Sequence, residues 1–383
     1  VKGHPLSSSS PQHPLSSHPL APYGWDEEWG EVFAPYAAEG LVLGRVVRVD
    51  RGQCDLVTAE GTVRADTAFV VPRDPMKVVC TGDWAVVDPA CADPRYVRTL
   101  LPRRTAFLRS TSSKRSEAQV LAANVDFAVV AVSLAEELEL SRVERFLALA
   151  WESGATPVLL LTKADLVPDP ETRAHLLADA ASAAPGVDVL AVSGDTGEGV
   201  PELRQVLAGG TSVLLGRSGA GKSTLANALA EAAHLRVQAV RDQDGKGRHT
   251  TTTRNLVPLP AGGVLIDTPG LRGVGLWDAG NGVGQVFAEI EEYATGCRFL
   301  DCAHETEPGC AVREAVENGT LPQRRLDSYR KLQRENTRIE AKADAFLRAA
   351  QRREWKKRGA EGRAAMDLKR YGTVPERGRK GRR

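Results

Sequence analysis

The sequence predicts an α/β domain built on a mostly parallel sheet, with a small antiparallel β-barrel before it and a metal-binding helical domain after it. Three observations carry that expectation. From Phe127 onward, apolar segments of strand length alternate with amphipathic helical segments, the pattern of a parallel sheet covered on both faces. Between Gly40 and Asp88, short Val-rich segments alternate with turns, the pattern of a small barrel. Three of the six cysteines gather with a histidine between Cys297 and Cys310, and clustered Cys and His in an intracellular chain point to metal rather than disulfides.

At 383 residues the chain is too long for one compact core, so two or three domains follow. Its first residues, Val1 to about Leu20, are rich in Ser, Pro and His and lack the charged start and apolar stretch of a secretory signal. A disordered tail is expected over 1–38. The barrel is expected over 39–100, from segments Leu41 to Val49, Cys54 to Thr58, Thr62 to Ala65 and Gly82 to Val87. An OB-fold, a translation-type barrel and an SH3-like barrel all share this pattern. The α/β domain is expected over 101–285. Its strands are Phe127 to Val132, Pro157 to Leu161, Val187 to Val192, Ser212 to Leu215 and Val264 to Ile266. Its helices lie at about Ser141 to Trp151, Glu171 to Ala181, Val200 to Leu207 and Gly221 to Ala233. Phosphate and base sites then belong at the C-terminal ends of the strands. The third region, 286–350, has too few large apolar residues for a core of its own, and a metal is expected to supply what the core lacks. A polar helix-forming stretch runs from about Gln323 to Arg358, and 351–383 reads as a basic tail.

With 42% hydrophobic and 26% charged residues and no apolar run of roughly 18 residues, the chain is expected to be soluble and cytoplasmic, without a membrane partner. The formal charge of +1 hides an asymmetry, because residues 324–383 hold 21 Lys/Arg against 8 Asp/Glu, a net of +13. Such a segment is either a solvated helix with a frayed end or a surface for a phosphate-rich partner, nucleic acid before any other.

Gly216-Arg217-Ser218-Gly219-Ala220-Gly221-Lys222-Ser223-Thr224 matches the P-loop pattern G-x-x-x-x-G-K-[ST] between a predicted strand and a predicted helix. The glycines let backbone N–H groups curl around phosphates, aided by the helix N-terminus. Lys222 is expected to neutralise the β/γ oxygens, and Ser223 to place its hydroxyl on Mg²⁺. Asp267-Thr268-Pro269-Gly270 follows an apolar strand, where a carboxylate holds Mg²⁺ through water and the Gly270 N–H meets the γ-phosphate. Between these two motifs, Gly245 to Arg254 is a glycine-flexed, threonine-rich loop. One of its hydroxyls, with Thr251 the candidate, completes the Mg²⁺ shell when a γ-phosphate is present.

Thr162-Lys163-Ala164-Asp165 ends a predicted strand and fits the x-K-x-D element that selects guanine. Asp165 accepts hydrogen bonds from the guanine ring N–H and exocyclic amine, which adenine cannot offer, while the Lys163 stem covers the base. An ATP-using kinase-like enzyme is disfavoured on the same two residues. The usual first residue is Asn; Thr162 departs from it but keeps a hydroxyl for a local hydrogen bond. Ser193-Gly194 is the matching loop for the base oxygen. The order of these motifs is rotated, because the base-reading elements precede the P-loop. Such a permutation is permissible where domain termini lie near one another on the surface. It sends the chain from Gly270 directly towards the metal cluster and is expected to leave the barrel on the base-reading side. The cluster itself, Cys297-x4-Cys302-x-His304-x5-Cys310, offers three thiolates and one imidazole, a closed tetrahedral set for one structural Zn²⁺.

Taken together, these residues resemble the bacterial ribosome small-subunit-dependent GTPase A family, circularly permuted GTPases with an N-terminal OB-fold barrel and a C-terminal zinc domain. The likeness runs from about Gly40 to Tyr329 and includes Ala122-Ala123-Asn124-Val125-Asp126 and Gly247-Arg248-His249-Thr250-Thr251-Thr252. The resemblance implies a role in late maturation of the small ribosomal subunit, with that subunit and its rRNA as partners. It also implies hydrolysis of GTP to GDP, stimulated by the subunit and followed by release. Leu271 stands where a Ras-like enzyme has the Gln that orients attacking water. His249 is the candidate in its place, the role the resemblance implies for a histidine there, and Lys222 is its catalytic companion. A monomer is expected. The competing reading is an RNA-docking scaffold in which nucleotide only sets conformation.

Overall fold

The structure, a computed structural model, describes residues 18–50, 52–70, 78–90, 95–110, 118–230, 255–260, 262–267 and 280–339. The barrel strands are β1 (Val42–Asp50), β2 (Gln53–Thr58), β3 (Gly61–Asp66), β4 (Trp84–Val87) and β5 (Arg95–Leu100). They pair in the order β1-β2-β3-β5-β4, and β4 closes back on β1. With β3 and β5 parallel, this is the five-stranded OB-type closure, which resolves the choice the sequence left open. Val46, Cys54, Leu56, Ala65, Ala85 and Val97 fill the interior. The fifth strand was not anticipated, since in Arg95–Leu100 only Val97 is buried and the apolar alternation is lost.

The expected disordered tail over 1–38 is corrected for its described part. Residues Glu27–Ala38 form helix α1, capped by the Asp26 carboxylate, which accepts from the Trp29 N–H at 2.9 Å. Trp29 and Leu20 are buried with Leu43, Trp84, Val86 and Leu101 on the outside of the barrel. Trp25, Trp29 and Phe33 recur at helical spacing, a stripe masked by the Ser/Pro/His composition just before it.

A hairpin of β6 (Ala106–Ser110) and β7 (Ala118–Ala123) leads into the main sheet. There β8 (Phe127–Ser133), α2 (Leu140–Glu152), β9 (Thr156–Thr162), α3 (Pro170–Ser182) and β10 (Asp188–Val192) are followed by α4 (Val200–Val206), β11 (Thr211–Leu215) and α5 (Lys222–Ala230). Strands β12 (Asn255–Pro258) and β13 (Val264–Asp267) complete it. The order is β10-β9-β8-β11-β13-β12. All pairings are parallel except β12 with β13. Strand β9 shows why the sequence reads as an uninterrupted apolar run. Leu159 and Leu161 bury on the face that carries Val143 and Leu147 of α2, while Leu160 buries on the other with Leu203 of α4 and Leu225 of α5.

Beyond β12 the sheet continues into β1 of the barrel, with Arg48 opposite Asn255. The barrel therefore joins the edge opposite β9 and β10, which corrects the expectation that it lies on the base-reading side. Arg45 locks this joint. It is buried, donates to the Asn124 carbonyl and the Thr211 hydroxyl at 3.1 Å each, and lies 4.8 Å over the Trp84 ring. Burial lowers its pKa to about 10, opposed by the carboxylates of Asp126 and Asp83. Asn124, at φ 53, donates from its amide to the Gly82 carbonyl at 3.0 Å. The Ala122–Asp126 segment thus lies at the joint between the barrel and the main sheet.

The C-terminal region comprises α6 (Gly280–Val286), α7 (Ala288–Ala294), α8 (Ala311–Glu317) and a helix α9 described over 323–339. As composition suggested, it does not build a core alone but shares the one beneath α2. Phe287, Ile290, Val312, Leu326 and Leu332 bury in the same cluster as Val143 and Leu147. Glycine is required at 282, where a Cβ would come within 2.0 Å of the Ala148 carbonyl oxygen. The fully buried Glu144 carboxylate of α2 accepts from Arg324 at 2.8 Å, from Arg325 at 2.9 Å and from the Ser328 hydroxyl. Arg325 also donates to Glu289 and to the Val286 carbonyl.

Candidate nucleotide site and metal centre

The P-loop follows β11, Thr162 to Asp165 follows β9, Ser193-Gly194 follows β10 and Asp267 ends β13. Parallel strands put all four at one edge of the sheet, where α/β folds bind their ligands. The P-loop turn is fixed by close approach. Gly216 has φ 136, and a Cβ on it would lie 2.3 Å from the Ala131 carbonyl oxygen. Lys222, the first residue of α5, donates from Nζ to the carbonyls of Gly216 at 2.7 Å and Arg217 at 2.5 Å. Its ammonium is thereby held over the mouth of the loop. Ser223 is exposed at the start of α5, and Arg217 pairs with Glu136 at 2.8 Å on the outer side. Beside the loop, a shallow cleft runs between Arg217, Ser218 and the β8–α2 turn.

Thr162 does what its departure from Asn left open. Its hydroxyl lies 2.9 Å from the Ala220 carbonyl in the P-loop and 3.2 Å from the Val132 carbonyl. The Thr162–Asp165 turn and the P-loop are therefore tied together. Lys163 adopts φ 59, a left-handed conformation that reverses the chain into the short turn Ala164–Leu166. Asp165 sits in that turn, and its Oδ1 is buried with no hydrogen-bond partner among the described residues. A buried, unpartnered carboxylate oxygen is costly in isolation. Its acceptor capacity is left unused by the described residues, a capacity that N–H donors satisfy.

Ser193 is buried. Its N–H donates to the Glu198 carbonyl at 2.8 Å, and its hydroxyl accepts from the Thr196 N–H at 3.2 Å. A Cβ on Gly194 would lie 3.0 Å from the Leu225 nitrogen, so this loop packs directly on α5. Arg173 of α3, which no motif singles out, touches both the Ala164–Val167 turn and the loop after β10; its only sequence signal is a position eight residues beyond Asp165. His249, Thr251, Gly270 and Leu271 lie outside the described residues, and of Asp267 only the backbone is described.

The ligand atoms of Cys297, Cys302, His304 and Cys310 lie within 4.8 Å of one another. The Cys297 and Cys310 sulfurs are 3.8 Å apart, and His304 Nδ1 lies 3.6 Å from the first and 3.4 Å from the second. A tetrahedral ion with metal–sulfur bonds of about 2.3 Å separates its sulfurs by about 3.8 Å, so the set fits a zinc-type ion. Burial opposes ionisation of Cys297. Even so, the Val312 and Ala311 N–H groups at the start of α8 hold its thiol below the usual range. Burial lowers the pKa of His304, which favours the neutral imidazole that a metal requires. His304 has φ 59, and its carbonyl accepts from Arg330 of α9, so the knuckle is fastened to the helix that docks on α2.

The model of the RsgA GTPase family matches residues 100–277. A relative from Streptomyces avermitilis, named small ribosomal subunit biogenesis GTPase RsgA, is 70% identical over 365 residues, covering 95% of this chain and 98% of its own length. The chain belongs to the RsgA GTPase family. Among solved structures, YjeQ from Thermotoga maritima superposes with a TM-score of 0.57 at 26% identity, covering 78% of this chain and 99% of that one. YloQ, described as a circularly permuted GTPase, matches with the same TM-score at 23% identity over 79% of this chain and 96% of its own, a likeness of fold. Family membership accords with the rotated motif order, the five-stranded barrel and the Cys₃His cluster. Among the described residues, no helix is long and apolar enough to cross a membrane.

Proposed function

We propose that this family member binds GTP at the edge formed by β9, β10, β11 and β13, and hydrolyses it on the small ribosomal subunit during late maturation, leaving after hydrolysis. The observation that carries the nucleotide reading is the buried, unpartnered Asp165 Oδ1, in a turn tied to the P-loop through Thr162. The ribosomal step is supported by the name of the Streptomyces relative, which is alike over nearly its whole length. In this reading the backbone of Gly216 to Gly221 cradles the phosphates, and Lys222 turns from the loop carbonyls to the β/γ oxygens. Asp165 accepts the guanine ring N–H and amine, the Lys163 stem covers the base and the Ser193-Gly194 loop meets the base oxygen. Ser223, Thr251 and Asp267 are the residues proposed to hold Mg²⁺, which when bound neutralises charge developing on the phosphates. His249 orients the attacking water in place of the glutamine that Leu271 replaces.

The Cys₃His set is proposed to hold one structural Zn²⁺ with no open position, bracing the region that docks on α2. The chain acts as a cytoplasmic monomer, and its OB-type barrel and basic C-terminal segment are the surfaces offered to rRNA. Because the barrel pairs through β1 with β12, the strand that follows the threonine-rich loop, nucleotide state has a short route to the barrel. Sedimentation with purified small subunits tests the partner: the protein should pellet with a nonhydrolysable GTP analogue and stay in the supernatant with GDP. Equal sedimentation in both would remove the release step, and absence from both pellets would remove the partner.

A further inference from the structure

The two loops that face the base come from different parts of the chain, and each has reason to be soft. The Lys163–Leu166 turn contains a non-glycine residue at φ 59, and of the 193–199 loop residues 195–198 are exposed. Reading a base through hydrogen bonds demands that both hold their place, since hydrogen bonds weaken steeply away from their preferred distance and angle. One side chain spans them. Arg173 of α3 donates from Nη2 to the Ala164 carbonyl at 3.2 Å and to the Val167 carbonyl at 2.9 Å, and from Nε to Val167 at 3.1 Å. These two carbonyls bracket the turn in which Asp165 sits. The opposite end of the same guanidinium, Nη1, pairs with the Glu198 carboxylate. Glu198 in turn holds Ser193 through its own backbone carbonyl at 2.8 Å.

We infer that Arg173, with Glu198, is a positioning pair for guanine selection: it fixes the Asp165 turn and the Ser193-Gly194 loop against each other. The inference rests on the reading of Asp165 as the guanine acceptor. An exposed ion pair alone contributes little, and Glu198 is 46% exposed. What distinguishes this one is the planar fork, which bonds backbone on one loop and carboxylate on the other at once. A lysine, with a point charge, cannot reproduce that geometry.

The test is displacement of a fluorescent GDP analogue from the full-length protein by GDP and by inosine diphosphate, whose base lacks the exocyclic amine that Asp165 accepts. Wild type should prefer GDP. Arg173→Ala and Arg173→Lys should each weaken GDP by about tenfold, while inosine diphosphate weakens less, so that the preference narrows. Glu198→Gln should fall between them and wild type. Equal weakening of both nucleotides would show a merely structural role and overturn the proposal, as would no change in either. A thermal melt accompanies each variant. If Arg173→Ala fails to fold, unchanged preference in both Arg173→Lys and Glu198→Gln overturns the proposal. Wild type that does not distinguish the two nucleotides refutes the Asp165 reading itself, a separate result from failure of the Arg173 pair.

Discussion

Replacing Arg325 with alanine removes the centre of the network that docks the Cys₃His region on α2. Arg325 is 3% exposed and makes bonds to Glu144, Glu289 and the Val286 carbonyl, with its guanidinium 4.4 Å over the Phe287 ring. After truncation, the fully buried Glu144 carboxylate retains, among the described residues, Arg324, itself 41% exposed, and the Ser328 hydroxyl. Removing one partner of a buried ion pair costs about 3–5 kcal/mol, because a charge stays buried without its counterpart. In native-state hydrogen exchange this corresponds to roughly 10²- to 5 × 10³-fold faster exchange through opening of α2 and of 323–339. The barrel, which makes none of these contacts, should be unchanged and serves as the internal control. Arg325→Lys keeps the charge but loses the fork and should fall between the two. Acceleration of less than about tenfold in Arg325→Ala would refute the view that this pair holds the region in place.

Asp165→Asn should weaken GDP by roughly 10- to 100-fold and shift preference toward the xanthine nucleotide; unchanged competition between the two would refute the assignment. Purified protein should carry one zinc per chain by metal analysis, and Cys302→Ser should lose the metal and the protection of 288–339 together; a folded, protected variant without metal would contradict a structural ion. Asp26 makes a pH prediction. Burial opposes its ionisation, yet Arg104 and the Trp29 N–H hold its carboxyl below the usual range. A depressed carboxyl stabilises the fold above its unfolded value of about 4 and loses that contribution as pH falls through the lower folded value. The difference in urea midpoint between wild type and Asp26→Asn should therefore shrink as pH drops from about 5 to about 3. A constant or widening difference would count against a stabilising role for the Asp26 charge beside Arg104.

The central strands were legible because burial on both faces leaves an apolar run that little else produces. Each of β8, β9, β10, β11 and β13 starts and ends within one residue of the segment read from sequence. The P-loop, the Thr162–Asp165 turn and the metal set were legible because their chemistry demands fixed spacing, which survives in one dimension. What the sequence hid is long-range or weakly patterned. Strand β12 buries only Leu256 in its interior, and its pairing with β1 spans some two hundred residues, so the barrel's true edge was invisible. Helix α1 was obscured by the composition before it, although its aromatic stripe was there to be counted. Arg173 carries no motif, since its partners are two backbone carbonyls and a carboxylate 25 residues away.

The most direct test of the account is GTP turnover by the purified protein with and without small ribosomal subunits, for wild type and His249→Ala. The account predicts slow turnover alone, a rise on the order of 10³-fold with subunits, and loss of that rise in His249→Ala while GTP binding is retained. Equal wild-type turnover with and without subunits would contradict it.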